Sequence, residues 1–441
     1  MKPHPQVLVS LRREFSNLDL WKTRLIVLAF AGLAGMTVVF FTWITDLALS
    51  WFRSINVQAW WGPLLWTPIC TVCIVWVTHR FARGCEGSGI PQVMAALNPS
   101  AIPPWRALFV SIRLTVAKIL LTAWGLLAGL SLGREGPSVQ VAAGVMHSAR
   151  HWLPRKNAVS EHGLLIAGGA AGIAAAFNTP LGGIMFAIEE LSRKPEQRSN
   201  GLIMAAIVLS GLMAVSVYGN STYFGVIHAE SFSWTLLGPG LLIAILSGLS
   251  GGLFSRLLIV CLSGTSPDIW PRLRQRRPVM FAGGCGLAVA ILGVISHGET
   301  FGTGYVTTRN MLEGSGSPST FYVLLKFLAT WITAWSGVPG GIFAPSLAIG
   351  AALGNDIANL LAQPQVSTLI ALGMVGFLAA ATQAPMTSFI IVMEMVDGHS
   401  MVLSLMACAL VSSGASRLIS APLYSSLAAL QVRRIPDQSA Y

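Results

Sequence analysis

Ten apolar runs punctuate this chain, beginning near Leu25, Leu64, Ala107, Leu164, Leu202, Leu236, Val279, Tyr322, Leu369 and Met401. A helix of roughly 17–25 such residues crosses the hydrocarbon core of a bilayer. In lipid every backbone polar group must be satisfied internally, so a run of this kind reads as a helix. Only 10% of the residues are charged and the mean hydropathy is +0.66, against about 25% charged in soluble globular proteins. The fold class is therefore an all-α polytopic membrane protein. Glycine, proline or a charge interrupts several runs, which predicts tilted and broken helices.

The net charge of +11 does not mark a nucleic-acid binder. Its basic residues sit in flanks: Arg12, Arg13, Lys22 and Arg24 before the first span, Arg272, Arg274, Arg276 and Arg277 in one loop, and Arg433 and Arg434 near the end. An excess of Lys and Arg marks cytoplasmic loops, so both termini are expected in the cytoplasm. Met1–Arg24 carries no apolar stretch before a small-residue cleavage site, so the first span is expected to be an uncleaved anchor. Trp51, Trp60, Trp61 and Trp66 follow it, as aromatics do at a membrane–water boundary, and Asp46 reads as interfacial. Cys70 and Cys73 form a lone C-x-x-C inside an apolar run, better read as helix packing than as a metal site. No metal and no cofactor is expected.

Two stretches share one frame. Gly133-Arg134-Glu135-Gly136-Pro137-Ser138 and Gly341-Ile342-Phe343-Ala344-Pro345-Ser346 both read G-x-x-x-P-S, 208 residues apart. Lys118 precedes Pro137, and Lys326 precedes Pro345, by the same 19 residues, and Thr122 and Thr330 each lie four residues after their lysine. Phe-Asn-Thr-Pro at 177–180 matches Thr-Gln-Ala-Pro at 382–385, with Glu189 and Glu394 each nine residues beyond the proline. This is an internal repeat. The expected organisation is a cytoplasmic segment 1–23, a first membrane repeat 24–218, a second 219–425 and a cytoplasmic tail 426–441. Repeats of this kind are often inverted in the membrane, which would point two equivalent helix starts at one site. Only 17 residues follow Tyr424, so no C-terminal regulatory domain is expected.

A helix start offers unpaired N–H groups and about half a positive charge. In a low-dielectric interior it attracts an anion and still lets it leave, as conduction requires. Three starts qualify: Gly87-Ser88-Gly89-Ile90-Pro91, Glu135–Pro137 and Ile342–Pro345. Ser88 alone reads equally as an ordinary helix cap. Glu135 is the anomaly, because a carboxylate at membrane depth costs roughly 2.5–3.5 kcal/mol. Ionised, it mimics an anion and can occupy the site; protonated, it is neutral and can swing away. The structural alternative is an Arg134–Glu135 ion pair. Glu190, at a helix end, is either a solvated carboxylate or a way in for protons that feeds Glu135. Glu394, which the repeat pairs with Glu189, reads as structural, and Tyr424 as an interface tyrosine or an anion donor.

At these residues the sequence resembles the CLC family of chloride channels and chloride/proton antiporters. The resemblance rests on 87–91, 133–137, 341–345 and Tyr424, and spans roughly Arg24 to Tyr424. It implies the CLC fold, two inverted-topology repeats, and a homodimer in the lipid bilayer with a pore in each subunit. It implies that Ser88 and Tyr424 donate hydroxyls to a dehydrated chloride, joined by the amides of Ile342 and Phe343. Glu135 would be the external gate and proton acceptor, Glu190 the internal proton-transfer residue. Gly87, Gly89, Pro91, Gly133, Arg134, Gly136, Pro137, Gly341, Ala344 and Pro345 would shape the pore. A glutamate at 190 favours the antiporter over the passive voltage-gated channel, since family channels commonly lack it. Serine at 88 resembles the chloride-preferring members; plant nitrate exchangers often carry proline there, and the fluoride branch departs there and at the tyrosine. Gln92 replaces a glutamate of many members. The expected absence of paired cystathionine-synthase-like domains favours a bacterial-type protein of the inner membrane. Transport of chloride and protons, not enzymatic catalysis, is the expectation. The remote alternative is an intramembrane serine protease, on the strength of Gly248-Leu249-Ser250-Gly251.

Overall fold

The computed structural model describes residues 18–98, 106–154, 159–192, 200–219, 222–225, 236–264 and 269–433. The segment before Leu18, the basic residues Arg155, Lys156, Arg193, Lys194 and Arg198, and the tail from Arg434 lie outside the described residues. The first half comprises α1 (Leu18–Gln58), α2 (Pro63–Phe81), α3 (Ile90–Ala96), α4 (Ile112–Leu127), α5 (Glu135–Ser148), α6 (Glu161–Phe177), α7 (Pro180–Phe186) and α8 (Asn200–Tyr218). The second comprises α9 (Leu237–Ser263), α10 (Ile269–Arg276), α11 (Pro278–Ile295), α12 (Tyr305–Leu312), α13 (Tyr322–Ser336), α14 (Phe343–Leu360), α15 (Val366–Thr382), α16 (Pro385–Met395), α17 (Val402–Arg417) and α18 (Leu423–Val432).

Among the described residues, six helices are long and apolar enough to cross a membrane. The runs expected from Ala107, Leu164, Tyr322 and Leu369 instead form short helices of 16, 17, 15 and 17 residues: α4, α6, α13 and α15. Their stops correspond between the halves. α6 ends on Asn178 and α15 on Gln383, both left-handed at φ 57° and 59°. A proline then opens the next helix, Pro180 for α7 and Pro385 for α16. Left-handed caps end helices, and proline at a first turn starts one. The same sequence device therefore breaks the chain at equivalent positions of the two halves. Asp46 lies inside the 41-residue α1, with its side chain exposed.

Small residues set the spacing of the equivalent pairs. A methyl on Gly172 of α6 would meet the Ser138 carbonyl of α5 at 2.4 Å, and one on Gly373 of α15 would meet the Gly350 carbonyl of α14 at 2.1 Å. Small residues allow such close approach where lipid supplies no hydrophobic drive between helices.

The halves also fasten to each other by reciprocity. Met386 and Thr387 N–H, at the start of α16, donate to the Glu189 carboxylate at 3.1 and 2.7 Å. Leu181 and Gly182 N–H, at the start of α7, donate to the Glu394 carboxylate at 3.2 and 2.8 Å. Each carboxylate caps the other repeat's helix, where an acid is favoured. Glu394 is thus structural, as the repeat spacing predicts. Hydrogen bonds to a charged acceptor contribute about 1.5–3 kcal/mol. Glu394→Ala should lower stability by about that range in thermal unfolding of the detergent-solubilised protein, and Glu189→Ala by a similar amount. An unshifted melting temperature in either would show the caps to be ornamental.

Candidate anion site

Two buried lysines brace two glycine loops. Lys118 of α4 donates to the carbonyls of Cys85 and Gly87, both at 2.7 Å. Lys326 of α13 donates to those of Thr300 and Gly302 at 2.9 and 2.8 Å. The loops are equivalent: Gly87 and Gly302 have φ 67° and 68°, Gly89 and Gly304 have φ 102° and 84°. Gly302-Thr303-Gly304 is therefore the second copy of Gly87-Ser88-Gly89. Its G-x-G stands 24 residues before Lys326, against 31 between Gly87 and Lys118, so the repeat spacing does not expose it.

The two G-x-x-x-P-S frames meet back to back. Gly133 N–H donates to Gly341 O and Gly341 N–H to Gly133 O, both at 2.7 Å, as an isolated antiparallel bridge. Gly340 N–H donates to Gly87 O at 3.0 Å, tying in the first loop. Equivalent residues that exchange identical bonds are related by a local twofold axis, with α5 and α14 leaving the junction on its two sides. The close approach requires glycine: a methyl on Gly341 would meet the Gly136 nitrogen at 3.0 Å, and one on Gly136 would meet Ser88 Oγ at 2.2 Å. Pro137 and Pro345 lie in the first turns of α5 and α14, and Pro91 in that of α3. They fill positions where no N–H partner is needed.

Glu135 is fully buried at the first position of α5. Its carboxylate crosses to the other repeat and accepts from Ala344 N–H at 3.4 Å, at the start of α14. Its second oxygen has no partner. Arg134 does not pair with it; the guanidinium pairs with Asp46 and donates to Thr42 O and Thr45 Oγ1 at 3.3 Å. The structural alternative, an Arg134–Glu135 pair, is thereby set aside. The amides of Ile342 and Phe343 find no acceptor among the described residues.

Beyond them, Ser88, Ile342 and Tyr424 line one cavity of about 80 Å³. Ser88 is not a helix cap: Gly89 holds that position, and no side chain caps α3. The Ser88 and Tyr424 hydroxyls are buried and face one another without a hydrogen bond of good geometry. α18 packs against α3, which carries Tyr424 to this place from the far end of the chain. The Tyr424 ring stacks on Phe343 with centroids 6.0 Å apart. The Ser88 and Tyr424 hydroxyls and the start of α14 at Ile342 meet at this cavity, with no acceptor for the hydroxyls among the described residues. A buried polar group without a partner is costly. Donors of this kind are what an anion needs.

Glu190 sits half-buried in the π-helical turn Ala187–Leu191, the same turn that aims Glu189 at α16. π turns of this kind recur at functional sites. Tyr424 lies within electrostatic reach of both Glu135 and Glu190. Gln92 is buried, and its amide donates to the Glu86 carbonyl. Cys70 and Cys73 are free thiols of α2. Ser250 Oγ donates to Leu246 O of its own helix at 2.7 Å, an ordinary helical contact and not a nucleophile's.

The voltage gated chloride channel family matches residues 70–417. The H(+)/Cl(-) exchange transporter ClcA of Citrobacter koseri is 29% identical over 439 residues, covering 95% of this chain and 90% of that protein. A slow cyanobacterial Cl-/H+ antiporter superimposes with a TM-score of 0.80 at 24% identity, covering 94% of this chain and 99% of that one. A CLC-type fluoride/proton antiporter gives 0.75 at 22% identity, over 92% of this chain and 97% of its own.

Proposed function

This chain belongs to the voltage gated chloride channel family, and from that premise we propose that it exchanges chloride for protons across a membrane, with Glu135 as gate and proton acceptor. The observation that carries the reading is the position of the Glu135 carboxylate on the α14 start, at Ala344 N–H. There it stands where an anion would. Chloride can advance only when the carboxylate leaves, and the carboxylate leaves most easily once neutral. Anion and proton thus alternate at one place, which is the condition for coupling them.

Ser88, Tyr424, Ile342 and Phe343 form the central chloride site. Lys118 and Lys326, both buried, brace the two glycine loops through their carbonyls. Glu190 passes protons toward Glu135 from the α18 side. Charge moves in one direction when chloride and proton move oppositely, so the exchange is electrogenic, and the field contributes about 2.3 kcal/mol per charge per 100 mV. The reading takes the repeats as 24–218 and 219–425, and the protein as a homodimer of a bacterial inner membrane with cytoplasmic termini. The arginines of α10 support that orientation.

Purified protein in liposomes, with chloride and pH recorded together, tests the proposal. An imposed pH gradient should drive chloride uphill; passive chloride leak alone would favour the channel reading. Glu190→Gln should lose proton movement to the level of empty liposomes while chloride binding persists, and normal proton flux would remove Glu190 from the path. Ser88→Pro should shift selectivity from chloride toward nitrate by roughly tenfold, the effect of about 1.4 kcal/mol at one donor. An unaltered chloride/nitrate ratio would take Ser88 out of selectivity.

A further inference from the structure

A groove of about 440 Å³ opens where α2 ends and shares no lining residue with the anion site. Its walls carry Arg80, Phe81, Arg83, Leu108, Ser111 and Arg113. No carboxylate lines it, and none of the three arginines is in an ion pair among the described residues. Arg83 Nε donates to His79 O and Arg113 to Phe81 O, both at 3.1 Å, and Arg80 lies over the Phe81 ring. Part of this is ordinary capping, since a helix C-terminus favours cations. That terminus carries only about half a negative charge, so about two and a half positive charges remain unanswered. Each of the two bonds uses a single N–H and leaves the rest of the guanidinium fork for a ligand.

The groove lies at a membrane boundary. α1 and α2 are both long and apolar enough to span, and residues 59–62 join them, so α2 returns to the face where α1 begins with Lys22 and Arg24. Ile112, Val116 and Leu120 are exposed at i, i+4 and i+8, on one face of α4, starting beside Arg113. Trp76 and Phe81 of α2 are exposed as well, with rings 5.9 Å apart, as aromatics are at headgroup level. A charged groove thus continues into an apolar strip. Its walls are fixed in advance. A methyl on Gly84, at φ 98°, would meet the Leu108 carbonyl at 2.2 Å. Buried Gln140 of α5 donates to Gly84 O at 3.0 Å and Phe109 O at 2.7 Å, tying both wall loops to the pore helix. A preformed site spends little of its affinity on ordering.

We propose that this groove binds an anionic phospholipid, with Arg80, Arg83 and Arg113 around the headgroup phosphate and an acyl chain along Ile112, Val116 and Leu120. Basic pockets between helices at the cytoplasmic face suit such headgroups. The occupant is a lipid and not free phosphate because the arginines and the apolar strip are continuous, and a free anion would leave the strip unused. The inference does not rest on the exchange of chloride for protons.

The test is lipid titration of the delipidated full-length protein in a neutral detergent, read as melting temperature. Phosphatidylglycerol should raise that temperature with saturation, and phosphatidylcholine should raise it less. Arg80→Gln, Arg83→Gln and Arg113→Gln should each raise the half-saturating phosphatidylglycerol concentration about fivefold, which is about 1 kcal/mol per arginine near a membrane surface. The difference from wild type should shrink as salt screens the charges. Lysine at the same positions should restore most of the affinity. Arginines that only cap α2 would give variants with a lower starting melting temperature and an unchanged half-saturating concentration, and that result would overturn the site. Inorganic phosphate as effective as phosphatidylglycerol at equal concentration would overturn the lipid as its occupant. Arg80 is exposed and rests only on the Phe81 ring, so its variant remains informative if the other two do not fold.

Discussion

Glutamine in place of Glu135 is expected to reduce proton movement to that of protein-free liposomes while chloride continues to pass. The geometry gives the reason. The carboxylate accepts from Ala344 N–H and its other oxygen is unpartnered in a fully buried setting. Glutamine preserves the volume and one acceptor oxygen but cannot carry a proton on and off. It is also neutral, so it competes less with chloride for the α14 start, and chloride occupancy should rise. Simultaneous chloride and pH recording distinguishes this from general damage, which would lower both fluxes. Proton coupling that survives the substitution would overturn the role of Glu135.

Lys118→Met should produce the second large effect, on both stability and anion binding. The ammonium donates to two carbonyls, Cys85 and Gly87, and Gly87 O also accepts from Gly340 N–H. Methionine matches the length of the chain but strands the Cys85 carbonyl, at about 1–3 kcal/mol, and leaves Gly87 O with the Gly340 N–H alone. The Gly87-Ser88-Gly89 loop then loses its brace, and the Ser88 hydroxyl loses its register with Tyr424. We expect a lower melting temperature together with chloride binding weakened by roughly tenfold or more, about 1.4 kcal/mol per decade. Lys326→Met should lower the melting temperature similarly, since the same bonds recur there. If Lys118→Met leaves the chloride dissociation constant unchanged, the lysine is a strut and nothing more.

Much of this arrangement was legible in the chain. The twice-used G-x-x-x-P-S frame marks the two helix starts that meet, and equal spacing from proline to acid marks the two carboxylates that exchange caps. These features are local and obey short-range rules of helix initiation, so spacing exposes them. Three others were hidden. The counterpart of Gly87-Ser88-Gly89 lies at Gly302-Thr303-Gly304, a separation of 215 and not 208, because the connections to α4 and α13 differ in length. The partner of Asp46, Arg134, is 88 residues away, and only the packing of α1 on α5 brings them together. The short helices looked like full spans because hydropathy counts apolar residues and does not register a left-handed Asn178 or Gln383.

The junction at Gly133 and Gly341 has a mechanical meaning. Many transporters expose a site alternately by rocking one half against the other. Here the halves are riveted at the centre by main-chain bonds in both directions, with a third from Gly340 to Gly87. Rocking would shear all three in a buried place, where each lost bond costs about 1–3 kcal/mol. Side chains beside the rivet face no such penalty. On the exchange proposed above, the scaffold would stay still at its middle and the Glu135 carboxylate would be the moving part.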